Sequence, residues 1–156
     1  MEYLDEAREE IKRVDHLVYV SLKYTRTVDV IKSVVVRIIN SFNFAILELL
    51  EHAKEKKKLK EYPSAHGLRC DTLQRVFPEN MELKEYLSFY QLLRRINRAD
   101  YTKREEYRRH VTMITNLDDG EVIDVDIDLL KEYYDKVRAF VGFVKNMVEG
   151  NKENLN

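Results

Sequence analysis

Hydrophobic residues recur every three or four positions along most of the chain, the spacing that places them on one face of a helix. Leu4, Ala7, Ile11, Val14, Val18 and Leu22 form a first stripe, with Glu6, Arg8, Glu9, Glu10, Lys12 and Arg13 mostly elsewhere on the surface. The pattern loosens at Tyr24, Thr25 and Thr27, where the first helix is expected to end. Ile31, Val35, Ile38, Phe42, Ile46 and Leu49 mark a second, longer helix. It fades into the lysines of 54–60, whose charge suits the negative end of a helix dipole, and Pro63 stops it. Asp71 with Gln74 three residues on resembles a capping box, so a short third helix is predicted to follow Asp71. Pro78 and Asn80 punctuate the chain before a fourth helix, with Leu83, Leu87, Tyr90 and Leu93 on one face, running to about Ile96.

Thr102 and Glu105 make another capping-box pair, which predicts a fifth, short helix from about Lys103 to His110. Val111–Leu117 and Glu121–Val125 are rich in β-formers and flank Asp118-Asp119-Gly120, a hairpin signal. Leu130, Tyr134, Val137, Val141, Val144 and Val148 then define a last helix, with Tyr133, Phe140 and Met147 as a second apolar row beside it. The expectation is an all-α fold, an antiparallel bundle of four or five helices with a small β-hairpin near 111–125. One domain should span 1–149, with residues 150–156 as a flexible tail.

Composition sharpens this picture. With 4 Gly and 2 Pro in 156 residues, long helices can run unbroken. Cys70 is the one cysteine, which excludes an internal disulfide and reads as a small buried residue. Glu2, Asp5 and Glu6 stand where a secretory leader would be basic, and the most apolar stretch, Phe42–Leu50, contains Asn43 and Glu48. A cytoplasmic protein with no membrane association is the expectation. The net charge of −1 means that nucleic-acid binding would need a local basic face.

Such a face is available between Arg94 and Arg109. Arg94, Arg95, Arg98, Lys103, Arg104, Arg108 and Arg109 stand against Asp100, Glu105 and Glu106, and Tyr90, Tyr101 and Tyr107 interleave as stacking surfaces. Guanidinium forks match phosphate oxygens. The same residues are also compatible with a solvated surface whose arginines pair with carboxylates. Asp118, Asp119, Glu121, Asp124, Asp126 and Asp128 form an acidic run. A calcium loop counted from Asp124 would need Gly and Glu where Leu129 and Asp135 stand, so the aspartates read as a turn and as a cap from Asp126 or Asp128. His16, His52, His66 and His110 lie far apart, which disfavours zinc; His16 reads as a core or boundary residue. No metal and no cofactor is expected.

The stretch Ala65-His66-Gly67, Phe77, and the helix into Arg95-Ile96-Asn97-Arg98-Ala99-Asp100-Tyr101 resembles HEPN domains, closest to the prokaryotic branch in which an arginine is followed by Ala-Asp-Tyr. The hairpin before the last helix departs from that branch. The resemblance implies a homodimer associated with RNA or nucleotide, a nucleotidyltransferase protein partner, and a place in toxin–antitoxin or defence systems. It also implies a cleft lined by Arg95, Arg98, Asp100 and Tyr101. In members that cleave RNA without metal, an Arg and a His four to six residues apart do the chemistry. Here Arg104 and His110 match, His110 as general acid/base and Arg104 as anion stabiliser. On one regular helix the two would lie about 120° apart, so they converge only through a bend or a second subunit. The alternative function is a non-catalytic helical adaptor or dimerisation protein that binds a protein partner through its second apolar row.

Overall fold

The computed structural model describes residues 1–153, with side chains to residue 150. Helices make up most of the chain. They are α1 (Glu2–His16), a π-helical turn (Leu17–Ser21), α2 (Leu22–Tyr24), α3 (Val28–Glu55), α4 (His66–Val76), α5 (Met81–Arg98) and α6 (Ile127–Glu153). Between α5 and α6 runs an antiparallel sheet in the order β1 (Asp100–Arg104), β2 (Thr112–Asn116), β3 (Val122–Val125).

The core is built on α3. Its apolar positions turn inward around much of the helix, so α1, α5 and α6 all pack against it. By length and composition α3 alone would reach across a bilayer; in the fold it carries the centre of the hydrophobic cluster. Phe42 is fully buried and stacks on Phe140 of α6 at 4.7 Å between ring centres, with Phe89 and Tyr90 of α5 against its other sides. Polar ties fix the helices in register. Ser41 donates to the Ala7 carbonyl, and buried Glu10 of α1 holds Arg13 at 2.7 Å and Arg37 of α3 at 3.3 Å. Tyr134 of α6 donates to Asp15 of α1 at 2.7 Å.

Helix ends follow local chemistry. Thr27 accepts from the Val30 N–H, Asn80 from Leu83 at 2.9 Å, and Asp126 from Leu129 at 2.9 Å. After α3, Lys57 adopts φ +60 while the Lys57 and Lys58 N–H groups bond back to Lys54 and Ala53. This is the closing turn that usually has glycine, so Lys54 ends the helix in its last turn while Lys56, Lys57, Lys58 and Lys60 lie past its end.

The turn at 118–120 forms as its sequence signals: Gly120 takes φ +89 and Asp119 accepts from the Glu121 N–H at 2.9 Å. The register pairs Met113 with Val125 and Asn116 with Val122. Three expectations are corrected. The fifth helix over 103–110 does not form; Ala99 turns extended and 100–104 becomes a third strand paired with β2, Thr102 opposite Ile114. Long-range strand pairing outweighs a local capping signal here. The third helix starts at His66, leaving Asp71 inside it. His16 is exposed. Helix α6 continues to Glu153, into the segment expected as a tail, and residues 154–156 lie outside the described residues.

Truncating Phe42 to Ala should cost about 3–5 kcal/mol, measured by denaturant unfolding, because a central aromatic leaves a cavity that three neighbouring rings cannot close. Glu48 gives a test of opposite sign. Its Oε1 is buried with no partner among the described residues, and burial raises its pKa. A carboxyl whose folded pKa is raised loses folding stability as pH climbs through that range. Glu48→Gln should therefore stabilise the protein at neutral pH, with the gain disappearing near pH about 4, where the parent side chain is itself neutral.

Candidate functional site

Stripe residues Val14, Val18 and Leu22 are all buried. Two successive steps of four outrun the α-helical period, and the widened π-turn at Leu17–Ser21 absorbs the excess. The turn also brings Tyr19 and Lys23 to the rim of a cleft of about 330 Å³. Arg26 from the connection to α3, Arg109 from the loop after β1 and Lys131 from α6 complete its cationic lining, with His110 next to Arg109 on the wall. Asp126 and Asp128, at the start of α6, are the carboxylates on its wall.

The loop that delivers Arg109 and His110 is bolted to the start of α3. The first N–H groups of a helix lack internal partners, and the Glu106 carboxylate accepts from the Val28 N–H at 3.2 Å. One residue on, the Tyr107 N–H donates to the Arg26 carbonyl at 2.7 Å. Glu105 and Tyr107 both take positive φ, +56 and +65, a conformation that side-chain-bearing residues adopt only when their surroundings impose it. Lys103 reaches Glu106 at 3.5 Å, and Asp29 with Glu106 holds its ammonium above the ordinary lysine range.

Three cleft cations differ from Arg37, Arg95 and Arg104, each of which meets a carboxylate. Lys23, Arg26 and Arg109 make no ion pair among the described residues, and the Arg26 Nε–H is buried without a hydrogen-bond acceptor. Asp126 is engaged as the α6 cap, and Lys131 lies over the Tyr19 ring at 5.5 Å. Tyr19 itself is braced edge-on against Tyr134.

The residues expected from sequence fall in several places. Arg95 is held by Asp118 and Asp119 at 3.3 and 2.8 Å. Arg98 lines a small hollow of about 90 Å³ with Arg95, Ala99 and Asp118. Asp100 is exposed on β1, and Tyr101 lies half-buried under the Lys32 ammonium at 4.7 Å. Arg104 pairs with Asp124 across the sheet at 3.4 Å and does not line the cleft. His110 does line it, beside Arg109. The arginines of 94–109 thus point to different neighbours, not to one cavity. Arg94 stacks over Tyr90 and reaches Gln91, near His66, whose pKa is lowered by burial and by Arg69 and Arg94. Cys70 is buried, with its thiol pushed up to about 11, so it carries little thiolate.

Sequence reasoning missed Lys23, Arg26 and Lys131. The legible signal was the double step of four after Val14, followed by a cation directly before the Thr27 cap. Among the described residues no three His, Cys, Asp or Glu side chains gather to hold a metal ion. Compared with family models, curated proteins and solved structures, the chain matches none.

Replacing Glu106 with Ala should lower stability by about 0.5–2 kcal/mol, the range for a lost helix cap. Amide hydrogen exchange should quicken at Val28 and Tyr107 together. Unchanged protection at both would mean that the loop is anchored by something else.

Proposed function

We propose that this chain is a HEPN-like helical domain that recognises phosphate groups of RNA or a nucleotide in the cleft between the π-turn, the 105–110 loop and the start of α6. The observation that carries the reading is a single concave space lined by cations, Lys23, Arg26, Arg109 and Lys131, that make no ion pair among the described residues, whereas Arg95, Arg104 and Arg37 outside it are each held by a carboxylate. In the cleft, Lys23, Arg26 and Arg109 stand with His110 around a concave space, and a buried guanidinium N–H has no acceptor among the described residues. Guanidinium and ammonium groups gathered around one hollow match phosphate oxygens in geometry and in charge.

Binding is the activity these residues support most directly. RNA cleavage is the further step that the HEPN resemblance would add, with His110 as general acid/base and Arg104 as anion stabiliser. Arg104 would have to leave Asp124 to take that part, whereas Arg109 already shares the cleft with His110. The same reading carries a homodimer and a nucleotidyltransferase partner with it. For the adaptor alternative, Tyr133 and Phe140 of the second apolar row lie inside the chain's own core and Met147 is partly buried against it, so a protein partner would have to use other surfaces.

Anisotropy titration of a labelled RNA oligonucleotide at low salt tests the proposal. Arg109→Ala and Arg26→Lys should each weaken binding about tenfold, as loss of a charge-assisted hydrogen bond does. The slope of log affinity against log salt should shrink by about 0.7 for Arg109→Ala, one phosphate contact on a single strand. Arg95→Ala, on the hairpin side, should bind as the parent does. Weakening by Arg95→Ala with none by Arg109→Ala would move the site to the end of α5.

A further inference from the structure

Two tyrosines beside the cleft have no structural employment. Tyr24 and Tyr107 are each 79% exposed, the most exposed large hydrophobic side chains among the described residues. Most other tyrosines pack against a ring or a cation, as Tyr19, Tyr90, Tyr101 and Tyr133 do. Among the described residues, Tyr24 and Tyr107 have neither kind of partner. Exposing a phenol ring to water gains nothing for the fold, and Tyr107 is further held at φ +65, which costs about 1–3 kcal/mol.

The backbone nonetheless brings both residues to one connection. Tyr107 is pinned by its N–H to the Arg26 carbonyl at 2.7 Å, and the Glu106 carboxylate anchors the residue before it to α3. Tyr24 ends α2, two residues before Arg26 and next to Lys23, and both of those cations line the cleft. Two exposed aromatic residues therefore adjoin the cationic cleft, one through the chain and one through a backbone bond.

We infer that Tyr24 and Tyr107 form a two-ring stacking platform beside the cationic cleft, so that the site selects unpaired nucleotides of single-stranded RNA. This rests on the phosphate-binding reading above and adds strand selectivity to it. An unpaired base offers its π-face to an aromatic ring, whereas a duplex keeps those faces stacked inside and presents backbone alone. Phosphates held by Lys23, Arg26 and Arg109 would set the backbone, and the rings would take the splayed bases. The strained turn and its backbone bond set the position of the Tyr107 main chain before ligand arrives, so no loop ordering is needed on binding.

The test compares an unstructured labelled RNA with a blunt-ended duplex of equal phosphate count, on the full chain. The parent should favour the single strand by about tenfold or more. Tyr24→Ala and Tyr107→Ala should each weaken single-strand binding by about 5- to 100-fold, the range for one lost stacked base, and leave duplex binding nearly unaffected. Tyr107→Phe should retain binding, since the ring does the work. Tyr107→Gly separates ligand contact from folding: it relieves the positive φ, so thermal stability should hold or rise while single-strand affinity falls. Equal affinity for both RNAs, or alanine variants that bind the single strand as the parent does, overturns the platform. If Arg109→Ala still weakens both RNAs, the cleft reading survives that result. If neither RNA binds the parent, both readings fall together.

Discussion

Everything at the candidate site depends on the free N–H groups at the start of α3. A helix beginning at Val28 presents unpartnered donors at the point where the chain arrives from α2. Thr27 satisfies one from within, and Glu106, far along the sequence, satisfies another from outside. That second bond converts a helix terminus into a mooring for the loop after β1. Together with the bond from the Tyr107 N–H to the Arg26 carbonyl, it brings Arg109 and His110 to the same cleft as the π-turn. Negative charge at a helix start is favourable on its own account, so the mooring also stabilises the central helix.

The long helices were legible because a stripe that must be buried imposes its period on the sequence. Ile31 to Leu49 and Leu130 to Val148 show that period, and the structure buries both stripes. The hairpin turn was legible from Asp-Gly, because few residues other than glycine accept the φ of Gly120 at no cost. The segment 100–104 was not. Thr102 and Glu105 carry a local helix signal, while the strand they join is decided by β2, which begins eight residues after β1 ends. Pairing of that kind leaves no mark in the segment's own composition.

The site was legible only by residue type. A surplus of arginines from 94 to 109 is visible in the sequence, yet its members diverge because each sits on a different element: a helix end, a strand, a loop. Arg95 and Arg104 meet carboxylates brought by the hairpin, a matching that depends on the three-dimensional path of 118–124. Arg26 escaped notice for the converse reason. It is isolated in sequence, and its significance comes from a carbonyl that anchors Tyr107 and an Nε–H left without an acceptor among the described residues.

The three-strand sheet has two open borders, and β1 forms one of them. An unpaired border strand is a template onto which another polypeptide can add by backbone hydrogen bonding. Here that border reads Asp-Tyr-Thr-Lys-Arg, with all but the tyrosine exposed. Charged side chains along such a border keep water at its backbone groups, so Asp100, Lys103 and Arg104 raise the cost of indiscriminate strand addition by the position they occupy, whatever else they do.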